Sequence, residues 1–255
     1  MFKTFSSKQS AKLRQILDKN ETKVARVESP DTRSRSLATR SRDRLLYSRF
    51  RAINEFLYSH STQESRAFLS KPLFATYHQI YRQIAEKWPQ KPVHHVIRRL
   101  ETLPADHVIA DIGCGERALI GQHFPERIVH SFDLVSADSH VTRADMASLP
   151  LPSASCDVTV FCLSLMATNL KHCLKEANRV MRAGARLLIV EVTSRFEETS
   201  VAAFARAMRS FGFRLRAQRH LSDDQYFVFL EFEKSGDCCE TPPDVSLKAC
   251  LYKKR

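Results

Sequence analysis

The sequence predicts an α/β fold: a mostly parallel, doubly wound sheet of Rossmann-like type, preceded by a helical cap and closed by an antiparallel last strand. Three observations predict it. From His107 onward, short apolar runs alternate with helical stretches, and strands separated by helices assemble into parallel sheets. Gly113 and Gly115 follow the first of these runs, where doubly wound sheets bind ligands. The last two strand-like runs are joined by a loop too short for a helical crossover, so they should pair antiparallel.

The elements follow in order. Residues 1–44 mix Lys, Arg, Ser and Thr with few large apolar side chains, and Arg33-Ser34-Arg35-Ser36-Leu37-Ala38-Thr39-Arg40-Ser41-Arg42 is the extreme case. This composition reads as a basic, mostly disordered arm. A helical cap is expected over 45–105. Leu46, Phe50, Ile53 and Leu57 form one apolar stripe, and Phe74, Tyr77, Ile80, Tyr81 and Ile84 form another within a helix from Pro72 to Lys87. Pro89 and Pro92 stop that helix, and a third runs to about Leu100. The core, 106–234, should carry strands at His107–Ile112, Ile128–Leu134, Cys156–Leu163, Arg186–Val192, Arg214–Gln218 and Tyr226–Glu233. Helices are expected at Asn169–Met181 and Val201–Phe211. Residues 235–255 read as a loosely ordered tail.

The charge is unevenly placed. Forty Lys and Arg against 28 Asp and Glu give +12 over 255 residues. Residues 1–60 hold 14 basic and 6 acidic side chains, so +8 of the +12 lies there. A basic arm on a nearly balanced body suits a polyanion such as nucleic acid. No stretch approaches the roughly 18 apolar residues of a membrane span. Several of the seven cysteines, Cys156 and Cys162 among them, sit in apolar runs and read as reduced intracellular thiols. No Cys/His cluster has metal-ligand spacing, so no metal is expected.

The chemistry centres on Asp111-Ile112-Gly113-Cys114-Gly115. Glycines after a buried strand let backbone approach a ligand closely. With Ala118 they also fit a dinucleotide pattern, and Asp133 at the end of the second strand is shared with such sites. Two acids separate the readings. Asp111 would repel a pyrophosphate but welcome an ammonium, and Asp145 suits an adenine amine. Acids at three strand ends match S-adenosyl-L-methionine, which has an amine, a ribose and an adenine but no phosphate.

These segments also resemble a known family. Gly113-Cys114-Gly115, Phe132-Asp133-Leu134, Asp145-Met146-Ala147 and Phe161-Cys162-Leu163-Ser164-Leu165-Met166 are similar to the nucleomethylin, or ribosomal RNA-processing protein eight, family. So are Trp88-Pro89 with Pro92-Val93, Glu176-Ala177-Asn178-Arg179-Val180, and Glu191-Val192 with Ser194-Arg195-Phe196-Glu197. The chain departs from the family at Glu116, usually Asp, and at Arg182-Ala183-Gly184-Ala185, usually Lys-Pro-Gly-Gly.

The resemblance implies a class I methyltransferase sheet and a cofactor pocket built from His78, Gly113, Asp133, Asp145, Met146 and Cys162, to which the motif itself adds Asp111 and Gly115. It implies that Asp133 holds the ribose, Asp145 the adenine amine and Met146 the adenine face, with Cys162 beside the methionine moiety. It further implies nucleolar methylation of N1 of an adenine in large-subunit ribosomal RNA, within ribosomal RNA processing, with chromatin or pre-ribosome proteins as possible partners. Asn169 and Arg195 are expected to contact substrate from the strand-end loops, with Phe196 stacking on the base. The rival expectation is a methyltransferase-like module that binds RNA or chromatin without catalysis. A small-molecule methyltransferase is a third reading, disfavoured by the basic arm.

Overall fold

The computed structural model describes residues 37–136 and 138–250, together with Ala11, Leu13, Arg14, Gln15 and Leu17. Most of the basic arm lies outside the described residues. Helix α1 (Leu37–Ser59) begins inside the stretch expected to lack structure. It turns Phe50, Ile53, Phe56 and Leu57 inward. Three more helices complete the cap: α2 (Thr62–Phe68), α3 (Lys71–Ala85) and α4 (Pro92–Glu101). Helix α2 starts with a capping box, in which the Ser61 amide donates to Glu64 Oε2 at 2.8 Å and the Glu64 amide donates to Ser61 Oγ at 3.3 Å. Pro92 opens α4 at a position where its missing N–H costs nothing.

The core is a seven-stranded sheet in the order β3-β2-β1-β4-β5-β7-β6. Its strands are β1 (Ile109–Ile112), β2 (Val129–Asp133), β3 (Val141–Arg143), β4 (Cys156–Cys162), β5 (Met181–Val192), β6 (Phe213–His220) and β7 (Phe227–Lys234). The first five are parallel. β7 enters antiparallel between β5 and β6, with Ile189 opposite Leu230 and Gln218 opposite Leu230. The helices between strands are α5 (Leu119–His123), α6 (Leu170–Val180) and α7 (Val201–Ala207). The helix expected over Val201–Phe211 tightens into a 3-10 turn from Met208 to Phe211.

Alternation along β7 divides the core. Val228, Leu230 and Phe232 pack with Leu174, Ala177 and Phe204 on one face, whereas Phe227 and Phe229 pack with Val96, Ile97 and Leu100 on the other. A third cluster, Phe50, Ile53, Leu73, Phe74 and Tyr77, fills the cap and meets Leu134 and Val135 just beyond β2. The cap is thereby set against the carboxyl ends of the parallel strands.

Residues 235–250 have no regular secondary structure, yet they are tied down at several points. Val245 and Cys250 are buried, the Lys248 amide donates to the Arg195 carbonyl at 2.9 Å, and Asn54 Nδ2 donates to the Cys250 carbonyl at 3.0 Å. No helix of the described residues is long and apolar enough to cross a membrane.

Candidate active site

A cavity of about 330 Å³ opens between the cap and the strand ends. That is ample for a nucleoside-sized ligand, since small-molecule sites occupy roughly 300–1,000 Å³. Its floor is β1 and the turn that follows. Gly113 and Gly115 have φ of +78° and +74°, a region that L side chains rarely adopt. The Gly113 and Cys114 amides both donate to the Phe132 carbonyl, at 2.8 and 3.0 Å, which holds the turn against β2. A Cβ on Gly113 would stand 2.3 Å from Ser164 Cβ, and one on Gly115 would stand 3.1 Å from the His78 ring. Ser164 in turn donates from Oγ to the Ile112 carbonyl at 2.6 Å, locking the end of β4 to the end of β1.

Two of the carboxylates that line this cavity, Asp111 and Asp133, stand at the ends of β1 and β2. Asp133 accepts from the Gly115 amide at 2.8 Å and from the Leu134 amide at 2.7 Å. Burial nonetheless dominates and raises its pKa to about 6. Asp111, 3% exposed, is raised to about 7 by burial and then by the charge of Asp133, with no cation offsetting either effect. Two neighbouring like charges, one buried and one half-buried, favour a cationic guest.

The cap supplies an aromatic wall of Phe74, Tyr77, His78, Tyr81 and Trp88. His78 touches Phe74, Tyr77 and Tyr81 edge-on at 4.3, 5.3 and 6.2 Å. Burial, and secondarily Arg82, lowers its pKa to about 3, so the imidazole is neutral. Tyr77 donates its hydroxyl to Asn54 Oδ1 at 3.2 Å. Met146 and Cys162 complete the lining. Burial, with Asp111 and Glu191 adding to it, pushes the Cys162 thiol well above its usual range, so it is neutral wall and no nucleophile. Arg82 and Glu116 form an ion pair at the rim, the place where the chain departs from the family's Asp.

Of the site residues expected from sequence, His78, Asp111, Gly113, Gly115, Asp133, Met146 and Cys162 come together around this cavity. Asp145 stands just outside the lining. Its Oδ2 accepts from Thr62 Oγ1 at 2.9 Å and its Oδ1 accepts from the Ala147 amide at 2.8 Å. Asn169 is engaged with the same threonine: its Oδ1 accepts from the Thr62 amide and its Nδ2 donates to Thr62 Oγ1, both at 3.0 Å. Asn169 is thus a brace between the end of β4 and the cap.

Arg195 corrects the sequence expectation. It is 1% exposed, donates from Nη2 to the Leu165 carbonyl at 2.7 Å and from Nε to the Lys248 carbonyl at 3.0 Å, and stacks on the Tyr58 ring. A guanidinium so enclosed has no face left for substrate. Phe196, expected to stack on a base, is 4% exposed and packs edge-on against Phe204 at 5.4 Å. Sequence reasoning placed Tyr77 and Tyr81 only in a helix stripe and Trp88 only in a motif shared with the family, and missed their place in the wall. Among the described residues no group of three His, Cys, Asp or Glu side chains is arranged to hold a metal ion.

The sheet order and the reversed β7, with acids at the ends of β1 and β2, are those of the class I methyltransferase fold. The chain belongs to the family described as hypothetical methyltransferase, whose model matches residues 36–255, and with it to the ribosomal RNA-processing protein 8 group. It is 40% identical to ribosomal RNA-processing protein 8 of Mus musculus over 243 residues, 91% of this chain and 51% of that one. It is 37% identical to the 25S rRNA (adenine(645)-N(1))-methyltransferase of Schizosaccharomyces pombe over 240 residues, 88% and 74% of the two chains. The chain spans about half the length of its mouse and rat relatives. Among solved structures, geranyl diphosphate C-methyltransferase from Streptomyces coelicolor aligns at a TM-score of 0.44 and 16% identity, over 64% of this chain and 83% of that one.

Proposed function

We propose that this protein transfers a methyl group from S-adenosylmethionine to N1 of an adenine in large-subunit ribosomal RNA, as a step of ribosomal RNA processing in the nucleus and nucleolus. The observation that carries the cofactor assignment is the pair Asp111, buried, and Asp133, half-buried: both raised in pKa and facing an aromatic-walled cavity. The choice of adenine N1 and of this RNA is supported by the printed function of the Schizosaccharomyces pombe relative.

The donor supplies an electrophilic methyl on a cationic sulfur, which needs neither metal nor general acid. The residues of this chain position the reactants. Asp133 has acceptor capacity left for ribose hydroxyls, and Asp111 holds negative charge where an ammonium would lie. Met146 offers an adenine face, and Asp145 takes the adenine amine as it yields its bond from Thr62. Cys162, Ser164 and the aromatic wall exclude water, and alignment to within about 3–3.5 Å of the nucleophile supplies much of the rate. Adenine N1 carries a free lone pair at neutral pH, so the neutral His78 need not act as a base. N1 is concealed in a duplex, so the base enters unpaired or flipped out. The basic arm of residues 1–44 acts as an electrostatic tether to the RNA.

The experiment is direct. Purified protein, S-adenosylmethionine and unmodified large-subunit RNA are incubated, and the RNA is digested to nucleosides for mass spectrometry against standards. The expected product is 1-methyladenosine. Methyl on the exocyclic amine, on cytidine or on a metabolite would overturn the substrate, and tight cofactor binding without methylation of any RNA would favour the binding module.

A further inference from the structure

A second concentration of charge lies away from the cavity, where α4 meets the outer strand β6. Strand β6 exposes Arg214, Arg216, Ala217, Gln218, Arg219 and His220 along its free edge, and α4 exposes His94 and Arg98. Two glutamates of β7 serve this region. Glu231 accepts two hydrogen bonds from Arg99, each at 2.7 Å. Glu233 accepts from Arg186, Arg214 and Arg216 at 2.8, 3.1 and 2.6 Å. Among the described residues no carboxylate forms an ion pair with Arg98 or Arg219. Arg98 donates to the His94 carbonyl of its own helix and lies 3.3 Å from His95 Nε2, and the Arg219 guanidinium carbon lies over the Phe229 ring, 4.6 Å from its centre. Six arginines against two glutamates leave a surplus of four positive charges. His95 feels it: burial, then Arg98, Arg219 and His94, lower its pKa.

The direction of the elements matters. Both β5 and β6 are antiparallel to β7, so β6 runs toward the same end of the sheet as the parallel strands. From Arg214 to Arg219 it travels about 17 Å at the usual rise of a strand. Helix α4 starts at that same end, and Lys91, Pro92 and Val93 at its start line the cavity. The arginine row therefore runs toward the end of the sheet at which the cavity opens, and Lys91, Arg82 and Arg117 line that cavity. Asp223 and Asp224 occupy the β6–β7 loop beyond the row, and Lys91 stands at the start of α4 beside the cavity.

We infer that this row is a phosphate track, docking a strand of RNA outside the methylated base and feeding it toward the cavity. The inference rests on the RNA reading above. A linear array of guanidinium groups fits the repeating phosphodiester, to which arginine binds through two parallel hydrogen bonds, and such contacts fix register without reading sequence. The Arg219 guanidinium, held over the Phe229 ring on an exposed strand position, is already placed to meet a phosphate.

The test uses the full chain with the double variant R98A/R219A, both sites being exposed, and the charge reversal R98E/R219E. Affinity for a large-subunit RNA fragment is measured by fluorescence anisotropy across a salt series, and cofactor affinity by calorimetry. Loss of two phosphate contacts should make the slope of log affinity against log salt shallower by about 1.4–1.8, with RNA affinity falling about tenfold at low salt and further in the reversal. Cofactor affinity should be unchanged. An unaltered salt slope with cofactor binding intact would overturn the track. Polyglutamate competing as well as RNA of equal charge would overturn its assignment to nucleic acid. If the wild-type protein methylates no RNA while the slope difference persists, the reaction fails and the track stands.

Discussion

Arg195 and Glu191 face each other inside the protein, with Nη1 and Oε2 2.9 Å apart and both side chains 1% exposed. The pair joins four pieces of chain: β5, the Leu165 segment after β4, Tyr58 of the cap and Lys248 of the tail. The Leu165 amide donates to Glu191 Oε1 at 3.1 Å, so each partner also grips the segment that carries Ser164 and Met166. Removing one member leaves a buried charge without its counter-ion.

Arg195→Ala should therefore destabilise the fold by about 3–5 kcal/mol, whereas replacing both partners with apolar residues, as in E191L/R195M, should cost far less. Urea denaturation of the three proteins distinguishes this from a surface or substrate-contact role. If Arg195→Ala proved as stable as the parent, the buried-pair account would fail.

Asp133 should dominate cofactor affinity. Loss of a charged acceptor from a buried hydrogen bond costs about 1.5–3 kcal/mol, so Asp133→Ala should bind S-adenosylmethionine at least about tenfold more weakly by calorimetry. An unchanged Kd would remove Asp133 from the site.

The raised acids set opposite pH trends for stability and binding. With folded-state values of about 7 for Asp111 and about 6 for Asp133, the folded protein keeps protons that the unfolded chain has released above about pH 4. Ligand-free stability should thus decline as pH rises from about 4 to about 7. A cationic ligand binds the ionised forms, so cofactor affinity should tighten over the upper part of the same window. Melting curves with and without cofactor at about pH 5.5 and about pH 8 read both trends, and a cofactor-induced rise in Tm that is equal at the two would contradict them. Asp111→Asn should raise the ligand-free Tm at the higher pH while weakening binding.

The two glycines should differ in their tolerance of a methyl group. Both need a positive φ, so alanine costs about 1–2 kcal/mol of backbone strain at either. Gly113→Ala adds an overlap with Ser164 Cβ at 2.3 Å, against the milder 3.1 Å approach of His78 to Gly115. Binding and melting temperature should accordingly drop further in Gly113→Ala. Equal losses in the two variants would show that the closeness of Ser164 is immaterial.

The sheet was legible because a strand buried on both faces, such as Cys156-Asp157-Val158-Thr159-Val160-Phe161-Cys162, is a short apolar run between polar turns. Asp133 was legible because it ends such a run. Tyr77 and Tyr81 were not, since an apolar helix stripe looks the same whether it covers a core or a ligand cavity. Arg195 misled for the opposite reason: an arginine in a strand-end loop looks like a ligand contact until the fold shows that Glu191, four residues back on β5, is buried with it. The capping box at Ser61 and Glu64 was present as Ser-x-x-Glu. Val245 and Cys250 gave no periodic signal because each anchors alone.

The bond from Asn54 to the Cys250 carbonyl spans 196 positions of sequence, and Asn54 is also the residue that receives the Tyr77 hydroxyl. A chain leaving the ribosome amino end first exposes the cap early and its anchor only some two hundred residues later. The bond that holds Asn54, and through it Tyr77, forms only once Cys250 has emerged, after every acid of the site has been made. A fragment cut short before Cys250 would thus hold every acid of the site and still lack a finished chamber to put them in.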